Sequence, residues 1–213
     1  MAAFDIEASS SSSGSFTYDV FLNFRGEETR NNFTGFLHNA MKREGINVFI
    51  DSEGLWGGEE IKSALLQAIK QSKISIPVFS EGYADSKWCL MELVEIVRCH
   101  TSNGQKILPI FLDVDPRDVR NQKGSFEESF QKHNGKFDAQ TIKSWREALS
   151  VVGGLSGYHL KQVNMNQPEL VKLVVDWALS ELSSNCLAEV KNPIGCEIDD
   201  LGLENGDMGV QFI

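Results

Sequence analysis

Residues 18–50, YDVFLNFRGEETRNNFTGFLHNAMKREGINVFI, decide the fold. They open on YDVFLNF, a short apolar run ended by Arg25-Gly26, which predicts a buried strand. Phe33, Phe36, Leu37, Ala40 and Met41 then recur at helical spacing, and Gly45 supplies the stop. INVFI at 46–50 predicts the next strand. A strand, a helix and a second strand in one unbroken stretch make a crossover unit, and crossovers join parallel strands.

The alternation continues outward from there. DSEGLWGGEE (51–60) predicts a glycine-rich loop, and IKSALLQAIKQS (61–72) an amphipathic helix. ISIPVF (74–79) is a third strand, SEGYADSK (80–87) a loop, WCLMELVEIVRCH (88–100) a helix and ILPIFLDV (107–114) a fourth strand. Residues 115–135 are less regular, punctuated by Pro116, Gly124 and Gly135. AQTIKSWREALSVV (139–152) is a helix and GYHL (157–160) a short fifth strand. PELVKLVVDWALSELSS (168–184) is the last helix, with Pro168 suited to its first turn. The expected fold is α/β: a flavodoxin-like, doubly wound five-stranded parallel sheet of order 2-1-3-4-5, with helices on both faces.

In that order the topological switch lies between strands one and three, and ligands bind outside their carboxyl ends. Those ends are RGEETR (25–30) and the segment leading into SKWCLMELVEI (86–96). Around this single domain, placed at 17–183, residues 1–16 are Ser-rich without periodicity and predict disorder. Residues 184–213, acidic apart from Lys191 and dotted with glycine, predict a linker or disordered tail.

The net charge of -10 disfavours a nucleic-acid-binding surface, which needs clustered Lys and Arg, and also an anionic membrane surface. No apolar run approaches the ~18 residues of a membrane span. The N-terminus lacks the basic and apolar segments of a secretory signal. Cys89, Cys99, Cys186 and Cys196 show no C-x-x-C spacing and read as reduced thiols of an intracellular protein, with no metal site.

Among doubly wound domains, a phospho-receiver needs an Asp ending strand three and a Lys after strand four; PVFSEG and FLDVDP supply neither. A flavodoxin needs a Ser/Thr-Gly phosphate loop after strand one, and RGEETR is not one. YDVFLNFRGEETRNNFTGFL, GINVFID, IKQSKISIPVFSEGYADSKWCLMEL, ILPIFLDVDPRDVRNQKGSF and LSGYHL occur in that order. Together they resemble the successive boxes of Toll/interleukin-1 receptor (TIR) domains from plant intracellular immune receptors, from Phe16 to Ser183. The resemblance implies an enzyme that cleaves NAD+ when it self-associates and signals cell death in the cytoplasm or nucleus. NAD+ would be its substrate, with no separate cofactor. Its partners would be further copies and other TIR-containing immune receptors. A non-catalytic adaptor working through TIR–TIR contacts is the alternative.

The resemblance assigns the catalytic role to the Glu of the WCLMEL box, here Glu92. Chemistry agrees: nicotinamide leaves NAD+ as a neutral molecule, and a carboxylate steadies the oxocarbenium-like ribose left behind. Trp88, one helical turn earlier, suits a wall for a ring, or is plain core. Spacing alone does not separate Glu92 from Glu95. Glu95 is closer to Trp88 in azimuth, whereas Glu92 is closer to the helix start, where the sheet edge lies. Arg25 and the backbone amides of Gly26, Glu27, Glu28, Thr29 and Arg30 suit a pyrophosphate. Arg25 equally suits an ion pair with Glu27, Glu28 or an Asp. Cys89 reads as a small buried hydrophobe, although the matching family Cys is tied to making cyclic nucleotides from nucleic acid.

Three departures from the family pattern stand out. In the loop after strand two, Gly58 matches the family glycine and is assigned to substrate binding, but Gly57 replaces the usual basic residue. The first helix has Gly35-Phe36 where a Ser-His pair often makes the self-contact. With Phe36, His38, Trp177 and Gly157 as the interface candidates, weak self-association is expected. No G-x-x-x-x-G-K-[ST] motif occurs, and the tail resembles the linker toward a nucleotide-binding module. The expectation is a TIR-only protein or one cut before that module.

Overall fold

Strand β1 (Tyr18–Phe24) is the hinge of the architecture, because it pairs in parallel on both sides. Val20, Phe21 and Leu22 lie beside Val48, Phe49 and Ile50 of β2 (Val48–Ile50). On the other side the register runs from Tyr18↔Ser72 to Phe24↔Val78 of β3 (Ser72–Phe79). A computed structural model of the chain describes residues 16–50 and 59–190. The N-terminal segment, the loop carrying Trp56, Gly57 and Gly58, and the tail from 191 lie outside the described residues.

Beyond β3 come β4 (Lys106–Ile107), β5 (Ile110–Phe111) and β6 (Tyr158–His159). The order is β2-β1-β3-β5-β6, with β4 also paired to β3. β4 and β5 are the two halves of the expected fourth strand, so the predicted order 2-1-3-4-5 holds once they are joined. Ile74↔Lys106 and Val78↔Ile110 keep one register across the gap. The amides of Leu108 and Leu112 still donate to Ser75 and Phe79 carbonyls, at 3.0 Å each. The break is chemical: Pro109 has no N–H to give the ladder, and that register puts it beside Pro77.

The helices divide between the faces. Strand alternation sends Val20, Leu22 and Phe24 to one side, where they pack with Phe33, Leu37 and Met41 of α2 (Phe33–Arg43). Leu170, Val174 and Ala178 of α8 (Gln167–Val190) complete that layer. Phe21 points the opposite way and packs with α3 (Glu59–Lys70), α4 (Lys87–Asn103) and α7 (Ala139–Val152). Before α2 lies α1 (Gly26–Thr29), a single helical turn.

Residues 115–135, expected to be irregular, hold α5 (Pro116–Asn121) and α6 (Ser125–His133). Both are too short for a full periodic pattern, yet their signals are local. The Asp115 side chain caps the Arg117 amide at 2.8 Å ahead of Pro116, and Phe126 and Phe130 bury one face of α6. α8 runs to Val190, past the expected end at Ser184. Among the described residues no helix is long and apolar enough to cross a membrane.

Candidate active site

The crossover from β1 to β2 passes through α2 on one face, and that from β2 to β3 through α3 on the other. The topological switch point therefore lies between the carboxyl ends of β1 and β3, where doubly wound folds bind ligands. It is bounded by the turn after Phe24 and by the loop that leads through a 3-10 turn (Tyr83–Asp85) into α4. The Ser86 hydroxyl caps α4 by accepting the Cys89 amide at 3.3 Å, so the helix start is fixed at this edge.

Glu92 lies on the second turn of α4 and is 9% exposed. Its Oε2 accepts a hydrogen bond from Asn23 Nδ2 at 2.8 Å. Asn23 is the polar member of an otherwise apolar strand end, and alternation turns it toward α4, on the same side as Phe21. Its Oδ1 accepts from the Tyr83 hydroxyl. The Cys89 carbonyl receives both Tyr83 Oη at 3.3 Å and Asn23 Nδ2 at 3.4 Å. Burial, and then the nearby Cys89 and Glu92, push the Tyr83 hydroxyl well above its ordinary value, so it remains a neutral donor. Neither Asn23 nor Tyr83 was singled out from sequence. The available signal was the abrupt polar stop of the β1 run at Asn23.

The expected binding segment is present but already engaged. Arg25 Nη1 donates to the Gly82 carbonyl at 2.7 Å and to Asp85 at 3.2 Å, and lies 3.5 Å from Glu28. Its Nη2 meets Glu27 at 3.0 Å. Partial burial works against this guanidinium's charge, but Glu27, Asp85 and Glu28 outweigh it and hold it above its ordinary value. The ion-pair alternative thus describes Arg25 in this structure, and the pairs stitch the two sides of the switch point together. Glu28 adds a bond from the Gly82 amide at 3.2 Å. Asp85 continues the network to Lys132 of α6 at 2.9 Å.

The proposed amide cradle is narrower than expected. The Glu28 and Thr29 amides donate to the Arg25 carbonyl at 3.3 Å each, and the Arg30 amide to Gly26 at 3.2 Å. Thr29 is buried, with its hydroxyl bonded to the Arg25 carbonyl and to Thr34. A Cβ on Gly26 would stand 2.9 Å from Arg30 Nη2, so this glycine makes room for the Arg30 side chain, which lies over the Phe24 ring. Trp88 is 40% exposed rather than core, with Lys87 Nζ 5.0 Å above its ring. Cys89 is buried as expected, and its Sγ donates to the Phe24 carbonyl at 3.4 Å. The structure brings Arg25, Glu27 and Glu28 together in one network and joins Glu92 to β1 through Asn23.

Residues 17–196 match the family model described as TIR domain. This chain belongs to the TIR domain family. The TIR domain is 41% identical to the TMV resistance protein N of Nicotiana glutinosa, over 97% of this chain and 18% of that protein. It is 50% identical to Disease resistance protein RPV1 of Vitis rotundifolia, over 68% of this chain and 10% of that protein. The chain therefore spans less than a fifth of the length of these curated relatives. It also superimposes on the TIR domains of the activated Roq1 resistosome, which recognises the pathogen effector XopQ. The TM-score is 0.70 at 39% identity, covering 75% of this chain and 98% of that one.

Proposed function

We propose that this TIR domain is an NAD+ glycohydrolase that acts when copies associate, and that it serves plant innate immunity and cell-death signalling. The observation that carries the proposal is Glu92: a carboxylate 9% exposed, held by the neutral amide of Asn23 at the topological switch point. In the reaction the bond from ribose C1′ to the nicotinamide nitrogen breaks, and its electron pair stays on that nitrogen. Neutral nicotinamide departs, so no strong acid is required. Glu92 stabilises the positive charge growing on the ribose, which is worth most where water is excluded. Water adds at C1′ and releases its proton to solvent, giving ADP-ribose; attack by the substrate's own adenine gives a cyclic product instead.

Trp88 offers an exposed ring at the start of α4. Arg25 would reach a pyrophosphate by exchanging a carboxylate partner for a phosphate oxygen. The loop with Gly58 is assigned to the same substrate, and further TIR-containing receptors in the cytoplasm or nucleus are the natural partners. The relatives' roles as resistance proteins support the immune setting. The adaptor alternative draws on Phe36, 60% exposed on α2, as a contact residue. Incubating concentrated protein with NAD+ and following free nicotinamide, beside Glu92→Ala, separates the two. Equal release by both proteins rejects the enzyme.

A further inference from the structure

Asn23 joins two groups of opposite hydrogen-bonding character. A carboxylate only accepts, and the buried Tyr83 hydroxyl, held neutral, donates. Tyr83 Oη meets Asn23 Oδ1, while Asn23 Nδ2 meets Glu92 Oε2 at 2.8 Å. Flipping the amide would set Oδ1 against the carboxylate and cost both bonds. The hydroxyl therefore fixes the amide, and the amide favours the ionised carboxylate. All three residues are buried, at 0%, 0% and 9% exposure, so solvent does not compete for these bonds. They also come from three separate elements: the end of β1, the turn after β3 and α4.

We propose that Tyr83 and Asn23 are positioning residues for Glu92, a relay that fixes the plane of its carboxylate and keeps it in the acceptor state in which it meets the ribose. The catalytic part of this rests on the NAD+ cleavage proposed above; the orienting part does not. Neither residue touches substrate. Asn23 acts on Glu92, and Tyr83 acts through Asn23.

The test uses Asn23→Leu and Tyr83→Phe in the full chain, with three readouts. Kinetics on NAD+ should show kcat down about 10- to 100-fold for Asn23→Leu with KM little changed, since a bond to a charged group is lost. Tyr83→Phe should fall less. The acid limb of the pH profile should move to higher pH in Asn23→Leu, which loss of packing alone would not produce. Carbon-13 NMR of the labelled Glu92 carboxylate should show the same upward move without substrate. That readout keeps the two proposals apart: a wild type that releases no nicotinamide rejects the NAD+ reaction, while the NMR titration still judges the relay. Unchanged kcat and an unchanged Glu92 titration in folded Asn23→Leu would overturn it. Should Asn23→Leu fail to fold, Tyr83→Phe decides by the same readouts, and a wild-type titration in it rejects the relay.

Discussion

Glu92 and Glu95 sit three residues apart on α4 yet reach different elements of the fold. Glu92 Oε2 takes the neutral amide of Asn23 at 2.8 Å, whereas Glu95 is clamped by Arg98 at 2.7 and 3.0 Å and lies 3.7 Å from Lys70. Burial raises the Glu95 carboxyl, but Arg98 and Lys70 outweigh it and leave it lowered. Glu95 is thereby committed to Arg98 and to Lys70 on the α3 side, away from the end of β1. Glu92→Gln is expected to abolish nicotinamide release, and Glu95→Gln to retain most of it, with both variants folded by circular dichroism. The reverse pattern would move the chemistry to Glu95.

Cys89 is expected to be chemically silent in the native protein. Burial above all, with the nearby Glu92, pushes its thiol up to about 12. At pH 8 the reactive thiolate is then on the order of one part in ten thousand. Iodoacetamide followed by peptide mass spectrometry should find Cys89 unmodified in folded protein and fully modified after guanidinium unfolding. Stoichiometric labelling of the native chain at pH 8 would contradict its placement.

Asp85 should give the fold a measurable acid sensitivity. Burial raises its carboxyl, but hydrogen bonds from Lys132, Ser129 and Arg25 prevail and hold it below its ordinary value of 3.8. A carboxyl lower in the folded than in the unfolded chain stabilises the fold above that ordinary value. The stabilisation is lost as pH falls through the folded value. Between about pH 5 and pH 3 the Tm of wild type should therefore fall more steeply than that of Asp85→Asn. Parallel curves would show that the Arg25–Asp85–Lys132 network adds nothing to stability.

Gly157, a candidate for self-contact by sequence, has a packing duty of its own. A Cβ there would press into the Pro109 carbonyl, which accepts the Tyr158 amide at 3.1 Å where β6 joins β5. Gly157→Ala should cost about 1–3 kcal/mol by chemical denaturation, whatever the oligomeric state. Phe36→Ala, changing a side chain 60% exposed, should leave stability within about 0.5 kcal/mol. Light scattering should find wild type mostly monomeric in dilute solution. A stable dimer at low micromolar concentration would refute weak association, and an unperturbed Gly157→Ala would refute the packing role.

The α/β class was legible in the chain because it follows from local periodicity, and the strand order came with the doubly wound fold which that alternation implies. YDVFLNF and ISIPVF are apolar runs of strand length, and AQTIKSWREALSVV is helical over the same residues in sequence and structure. ILPIFLDV reads as one strand in sequence, and its break at Pro109, which has no N–H to donate, appears only in the structure. α5 and α6 escaped because two or three turns give too few repeats for a period to show. Glu92 could be picked out only through its box, since residues three apart on a helix look alike until their neighbours are known. Which carboxylate reaches Asn23 and which reaches Lys70 was decided by packing: α4 lies with one Glu toward the end of β1 and the other toward α3. Arg25 was settled in the same way. Its acidic partner Asp85 is sixty positions away in sequence and enters hydrogen-bond range only when β1 and β3 lie side by side.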